Sequence, residues 1–298
     1  MKRLQRVALT GGVACCALVL TGASDSSSAR PLRYIALGDS FSAGEGVPPF
    51  RQGTNRYLPP RDRCHRSYRA YPALVAGRRS SPGTWGFWAC SGAGVREMTD
   101  VNDDYPGEIA QLDRIAPPGR SDPRVDLVTL TIGGNDAQFR VVSLACVASH
   151  IVQILGRCQT DLRASVAVTI RRLRVTLPTV YRALRARAPR ARIIVLGYPN
   201  PFPAILPARS RCRRWFAASD LRWLSQTAVA LNDVIRAATI SSQARVTYLP
   251  PSGFEGHDLC SEAPWFNALE LVPTRSLYSF HPNALGQRRL AKIVLAAL

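Results

Sequence analysis

A chain of 298 residues can bury a sizeable core, and its 46% hydrophobic and 20% charged residues are the balance of a soluble globular protein. No internal repeat is present, which excludes a repeat architecture. The formal charge of +19 rests almost wholly on arginine, since Lys2 and Lys292 are the only lysines. That charge fits either a compositional bias toward arginine or attraction to an anionic membrane or envelope surface. It does not point to nucleic acid, because no recognition module or aromatic-interleaved basic stripe accompanies it.

The first element in chain order is not part of the fold. "MKRLQR" is basic, "VALTGGVACCALVLTGA" is apolar, and "SDSSSAR" is small and polar. This is the layout of a secretory signal peptide over residues 1–29, with cleavage after Ala23 or Ala29. An uncleaved anchor fits less well, because Gly11 and Gly12 interrupt a short stretch. A lipoprotein reading around Cys15 and Cys16 lacks a Leu-Ala-Gly-Cys box. Loss of the signal leaves Cys64, Cys90, Cys146, Cys158, Cys212 and Cys260. An even count in an exported chain reads as three disulfides, whose pairing stays open at this level. A metal centre is excluded by spacing, since neither Cys-x-x-Cys nor His-x-x-x-His occurs. No cofactor is expected.

Residues 30–298 read as a single α/β domain. Apolar, β-branched-rich runs at Arg33–Leu37, Thr84–Ala89, Asp126–Ile132, Arg192–Leu196 and Arg245–Leu249 predict five strands. Helical spacing predicts helices over Leu162–Ala188, Phe216–Ala238 and Leu285–Leu298. The alternation implies right-handed crossovers and a parallel sheet covered on both faces. Long loops at Val47–Arg63, Asn200–Arg211 and Pro250–Ser279 hold prolines or border cysteines, and read as stapled lids. Ligands of such sheets bind beyond the carboxyl ends of the strands. Three glycine-rich turns reach that rim: Gly38-Asp39-Ser40, Cys90-Ser91-Gly92-Ala93-Gly94 and Gly133-Gly134-Asn135-Asp136.

Ser40 is a hydroxyl on a bare turn after a buried strand. Such a serine becomes a nucleophile only with a base to take its proton and donors to hold the oxyanion. The chain has four histidines. His65, beside Cys64, and His150, in an apolar stretch, read as structural or surface residues. His257 reads as loop structure or a substrate contact. His281 precedes Pro282, a residue favoured at the first helical position, so it returns to the rim at a helix start.

The blocks "GDSFSAGEG", "CSGA", "GGND" and "HPNALGQ" occur in the order and rough spacing of those in SGNH hydrolases, the GDSL lipases and esterases. The resemblance covers nearly the whole chain after the signal. Together with "CHRSYRAYP" and the six cysteines, it resembles the secreted actinobacterial three-disulfide branch. The resemblance implies a flavodoxin-like three-layer α/β sandwich on a five-stranded parallel sheet. It implies sequential pairing, Cys64–Cys90, Cys146–Cys158 and Cys212–Cys260. It makes Ser40 the nucleophile and His281 the base, and builds the oxyanion hole from the Ser40 and Gly92 N–H groups and the Asn135 amide. Glycine at 92 would let a main-chain N–H approach substrate with no Cβ in the way. One departure is Tyr278, which stands where the family's Asp-x-x-His has its carboxylate. In the secreted branch a main-chain carbonyl near that position orients the histidine, so a Ser40–His281 dyad is expected. Asp39 and Asp136 are expected to fix loops through bonds to the main chain.

The expected function is a secreted, extracellular, monomeric serine ester hydrolase that cleaves acyl lipids or phospholipids through an acyl-enzyme. Phe50, Tyr57, Trp215, Phe216, Trp265 and Phe266 are expected to line an acyl groove. A carbohydrate O-deacetylase is the enzymatic alternative, and a non-catalytic envelope-binding protein the alternative from another class. The presence of Ser40, Asn135 and His281 together weighs against the latter.

Overall fold

The run Tyr34–Gly38 carries no polar alternation because both of its faces are covered. It forms β1, fully buried, in a five-stranded parallel sheet. The computed structural model describes residues 30–105, 107–152 and 158–298; the signal-peptide reading lies outside the described residues. The other strands are β2 (Trp85–Phe87), β3 (Leu127–Thr131), β4 (Arg192–Leu196) and β5 (Val246–Leu249), in the order β2-β1-β3-β4-β5. That is the flavodoxin-like order, whose direction reverses between β1 and β3. Gly38 pairs with Thr131 at the carboxyl end of this junction. The turns that follow, with Ser40 and Asn135, therefore open on the switch point.

Among the described residues the α-helices are α1 (Ser40–Ala43), α2 (Tyr71–Arg79), α3 (Phe139–Val152), α4 (Cys158–Arg187), α5 (Ala218–Ser241) and α6 (Ala284–Ala296). α2 packs on α6, and α4 packs on both α5 and α3. Right-handed crossovers put these two groups on opposite faces of the sheet, giving three layers. The predicted stripe of α4, Val166, Ile170, Leu173, Leu177, Val180 and Leu184, is buried throughout. Pro31–Leu298 forms one compact unit. Among the described residues, no helix is long and apolar enough to cross a membrane.

No bounds were predicted for three helices, α1, α2 and α3. α2 is short and holds Gly77, and α3 exposes Val141, Ile151 and Val152, so its apolar residues do not form one stripe. His150 lies on α3 and faces the Arg213 carbonyl at 3.1 Å. The last helix starts at Ala284, one residue before the predicted Leu285 and two after Pro282. Asn283, not His281, is its N-cap, accepting from the N–H groups of Leu285 and Gly286, and this places Pro282 before the helix.

The disulfides are Cys64–Cys90, Cys146–Cys158 and Cys212–Cys260, closing separations of 26, 12 and 48 residues. Loops of that length are worth about 2–4 kcal/mol each. The first matters most to the rim, since it ties the "CHRSYRAYP" segment to the turn after β2. In that segment Arg66 donates from Nε to the Ala89 carbonyl at 2.9 Å and pairs with Glu108 at 2.6 Å. The Cys64 carbonyl accepts the Ser91 N–H at 3.2 Å.

Candidate active site

Asp39 ends β1 and caps the single turn α1, accepting the Phe41 N–H at 3.1 Å. This sets Ser40 at the first helical position, where a main-chain N–H has no partner within the helix. Gly44, at φ +85°, ends the turn four residues later. The tight turn leaves Ser40 at the surface of a cleft, 7% exposed.

His281 comes from the far end of the chain, and main-chain pairing holds it. Asn267 N–H donates to the His281 carbonyl at 2.8 Å, Phe280 N–H to the Asn267 carbonyl at 3.0 Å, and Asn283 N–H to the Trp265 carbonyl at 2.9 Å. Phe280 takes φ +68°, an uncommon left-handed conformation for a bulky residue, directly before the histidine. The result is an imidazole with Nε2 2.7 Å from Ser40 Oγ and Nδ1 3.2 Å from the Ser279 carbonyl. A carbonyl only accepts, so Nδ1 carries the hydrogen. Nε2 then presents its lone pair to the Ser40 hydroxyl.

Two further rim residues face the same space. Gly92 and Asn135 line a cleft of about 170 Å³ with Ser40 and His281. The Ser40 and Gly92 N–H groups donate to no protein group among the described residues. Asn135 gives one amide hydrogen to the Ala93 carbonyl at 2.9 Å and retains a second. Gly92 sits at φ +90°, and a Cβ there would meet no protein atom within 4 Å. Its glycine is thus required by backbone conformation rather than by crowding. On the other side of Ser40 a narrow apolar slot runs between Phe139, Pro199, Ala228, Leu231 and Phe280.

A serine–histidine contact, N–H groups with no protein partner among the described residues, and an apolar slot now converge on Ser40. The profile of the GDSL-like lipase/acylhydrolase family matches residues 36–289. The chain belongs to that family. It is 35% identical to Lipase 2 of Streptomyces coelicolor, over 99% of this chain and 97% of that protein. It is 33% identical to a lipase of Streptomyces rimosus, over 96% of each. An extracellular lipase of Streptomyces rimosus superposes with a TM-score of 0.70 at 28% identity, covering 89% of this chain and 99% of that one. Phospholipase A1 of Streptomyces albidoflavus does so with a TM-score of 0.69 at 27% identity, covering 89% and 98%.

In this GDSL family member a polar network beneath Ser40 fixes the turn. Asp39 also accepts from Thr131 Oγ1 at 2.6 Å and from the Tyr198 hydroxyl. Thr131 Oγ1 meets Ser42 Oγ at 2.9 Å, which meets the Tyr71 hydroxyl at 3.0 Å. Burial pushes the Asp39 carboxyl up to about 6, against the pull of its three donors. Tyr198 also accepts the Gly134 N–H at 3.0 Å, joining the turn after β1 to the turn after β3. Asp136 accepts the Val95 N–H at 3.1 Å and so ties the third turn to the second. Both aspartates act as loop anchors, and neither approaches His281 Nδ1, which faces a carbonyl.

Other supports were not legible in advance. Gln111 clamps both main-chain groups of Gly38, accepting its N–H at 2.7 Å and donating to its carbonyl at 2.9 Å. Gln287, inside "HPNALGQ", accepts the Tyr71 N–H at 2.7 Å and donates to the Phe41 carbonyl at 3.1 Å. It thereby ties α6 to the serine turn. Glu45 is buried, with both oxygens 2.8 Å from His65 Nδ1, and lines the cleft beside His281. His65 is thus a structural partner of Glu45. His257 stacks on Trp265 at 3.8 Å and faces the Ala263 carbonyl at 2.8 Å, away from both recesses.

The expected aromatic groove is not formed. Phe216 and Phe266 are buried in the core, Phe50 stacks on His65 at 4.5 Å, and Tyr57 donates to the Thr274 carbonyl. None of those two, Trp215 or Trp265 lines either recess. Apolar loop side chains bury against each other before they line a cleft. The slot is instead walled by Phe41 of α1, Phe139 of α3, and Ala228 and Leu231 of α5.

Burial holds His281 below its ordinary 6.5; Glu45 opposes this and Arg140 adds to it. A base must be neutral to accept a proton. The acid limb of kcat/KM is therefore expected to be centred below pH 6.5. Asp39 protonates in the same range, so the limb belongs to both groups. A pH–rate profile checks this, and a limb centred well above that value contradicts a buried neutral base.

Proposed function

We propose that this family member is an exported serine ester hydrolase that cleaves carboxylic esters of acyl lipids, with Ser40 as nucleophile and His281 as base. The observation that carries this is the 2.7 Å contact between His281 Nε2 and Ser40 Oγ, with Nδ1 spent on the Ser279 carbonyl. His281 Nε2 takes the hydroxyl proton as Oγ bonds the acyl carbon. The carbonyl oxygen becomes an oxyanion facing the Ser40 and Gly92 N–H groups and the Asn135 amide. Collapse breaks the ester bond, and the departing alcohol takes the proton from His281. Water then attacks the acyl-enzyme, gives its proton to the same nitrogen, and the acid leaves with Ser40 restored. No carboxylate touches the imidazolium in this scheme. The Ser279 carbonyl dipole and the nearby Glu45 charge stabilise it instead.

The slot's volume is only about 30 Å³, and it is its apolar lining that supports a hydrocarbon chain over the acetyl group of a carbohydrate deacetylase, whose pocket would be polar. Export is supported by the three disulfides and by the likeness to an extracellular lipase. A fluorophosphonate is expected to label Ser40 alone and to abolish esterase activity in step with labelling. Intact mass and peptide mapping read the site. Full labelling at another residue, or activity retained after complete labelling of Ser40, overturns the mechanism.

A further inference from the structure

We propose that Arg63 and Arg140 form an anion subsite on the alcohol side of the scissile ester, shaped for the phosphodiester of a glycerophospholipid. This deepens the ester-hydrolase reading and rests on it for which side the alcohol occupies. Both arginines line the wider cleft together with Ser40, Gly92, Asn135 and His281. Both are anchored to the turns that supply the oxyanion donors. Arg63 precedes Cys64, whose disulfide to Cys90 holds the Ser91-Gly92 turn. Arg140 opens α3, five residues after Asn135.

Among the described residues, neither guanidinium has an acidic partner within ion-pair distance. Two other partly buried arginines have acidic partners, Arg66 with Glu108 at 2.6 Å and Arg187 with Asp113 at 3.2 Å, and Arg185 is held by the Ala244 and Ala191 carbonyls at 2.9 and 2.8 Å. Arg140 makes no hydrogen bond or ion pair among the described residues. Arg63 lies 5.6 Å over the Tyr57 ring beside the Tyr105 hydroxyl, and its Nε is buried without a hydrogen-bond partner. The cleft's one carboxylate, Glu45, has both oxygens on His65. Two half-sheltered cations thus share a cleft; burial pushes Arg140 below its ordinary value, the Glu45 charge opposes this, and Arg63 adds a smaller push in the same direction as burial. A buried donor without a partner is costly, and such a pair is stable when an anion bridges it. Guanidinium groups bind phosphate oxygens through paired N–H donors, which a phosphodiester supplies and a neutral alcohol does not.

The two recesses then divide one substrate. The apolar slot takes the acyl chain, and the arginine cleft takes what leaves. In a glycerophospholipid only the glycerol backbone separates the ester oxygen from the phosphate. Both can therefore occupy one cleft while the acyl carbon sits at Ser40.

The test compares kcat/KM for a short-chain diacylphosphatidylglycerol and for the diacylglycerol with the same chains, both as monomers. The wild type is expected to prefer the phospholipid. Arg140→Gln and Arg63→Gln are each expected to lower the phospholipid-to-diacylglycerol ratio about tenfold or more, and Arg140→Lys to restore part of it. An unchanged ratio in both variants, or equal losses on the two substrates, overturns the subsite. Calorimetry on Ser40→Ala with glycerophosphoglycerol reads the site without catalysis. Binding that weakens about tenfold with Arg140→Gln supports it even if the ester-hydrolase reading fails. No binding, or inorganic phosphate binding as tightly as the phosphodiester, overturns it.

Discussion

His281→Ala is expected to lower turnover by about 10³-fold or more on any carboxylic ester, a loss of the size seen when the base of a serine hydrolase is removed. Its Nε2 is the nitrogen within 2.7 Å of Ser40 Oγ, and its other nitrogen is held by a main-chain oxygen. Truncation removes both proton transfers and leaves the hydroxyl at its unactivated acidity. His257→Ala is the control. That ring stacks on Trp265 and bonds the Ala263 carbonyl, so its loss should lower stability and leave turnover within a few-fold. Tyr278→Phe should be nearly silent in turnover, because the Tyr278 ring packs near Phe50 and His65 and its phenol is not the group that holds His281. Steady-state kinetics on a chromogenic ester, with folding checked by circular dichroism, separates the three. A large loss in His257→Ala with His281→Ala active would reverse the assignment of the base.

The five strands fall within one or two residues of the apolar runs, because a parallel sheet covered on both faces writes itself as continuous hydrophobic sequence. The rim residues were legible for the same reason: each glycine-rich turn follows a strand, and parallel strands end on one edge. What was not legible acts through the main chain. Gln111 grips the backbone of Gly38, and Gln287 bonds the backbone of Phe41 and Tyr71. A glutamine that pairs with distant peptide groups leaves no local pattern. Tyr198 had a weak signal, since "LGYPN" follows β4 on the same rim, but its partner Asp39 lies 159 residues away. The groove was misread for a different reason. The walls of the apolar slot are the starts and inward faces of helices together with Tyr198, Pro199 and Phe280 of two loops, and no bounds were predicted for α3. Its first residue, Phe139, contributes a wall of the slot, and its second, Arg140, lines both recesses.

Asn135 separates an oxyanion donor from a tight turn. If it served only the "TIGGND" turn, its contribution would be its bond to the Ala93 carbonyl at 2.9 Å. Losing one neutral hydrogen bond costs about 0.5–1.5 kcal/mol of stability and need not touch turnover. If it also donates to the developing oxyanion, Asn135→Ala is expected to lower kcat by about 10²–10³, or about 2.7–4 kcal/mol, with KM little changed. The second amide hydrogen is available for this, and Asn135 lines the cleft with Ser40 and Gly92, whose N–H groups have no protein partner among the described residues. Asn135→Asp sharpens the distinction. Aspartate suits turns as well as asparagine does but cannot donate to the Ala93 carbonyl, so turn chemistry alone predicts a lower melting temperature with nearly normal turnover. An ionised carboxylate, however, donates nothing. It would face the Ala93 carbonyl oxygen and set a negative charge beside an oxygen that is itself becoming negative. The aspartate variant should therefore turn over more slowly than the alanine variant, and the deficit should shrink as the pH falls and the carboxyl protonates. Kinetics on both variants, with melting temperatures measured alongside, decide it. A folded Asn135→Ala enzyme with full activity would leave the oxyanion to the two main-chain donors alone.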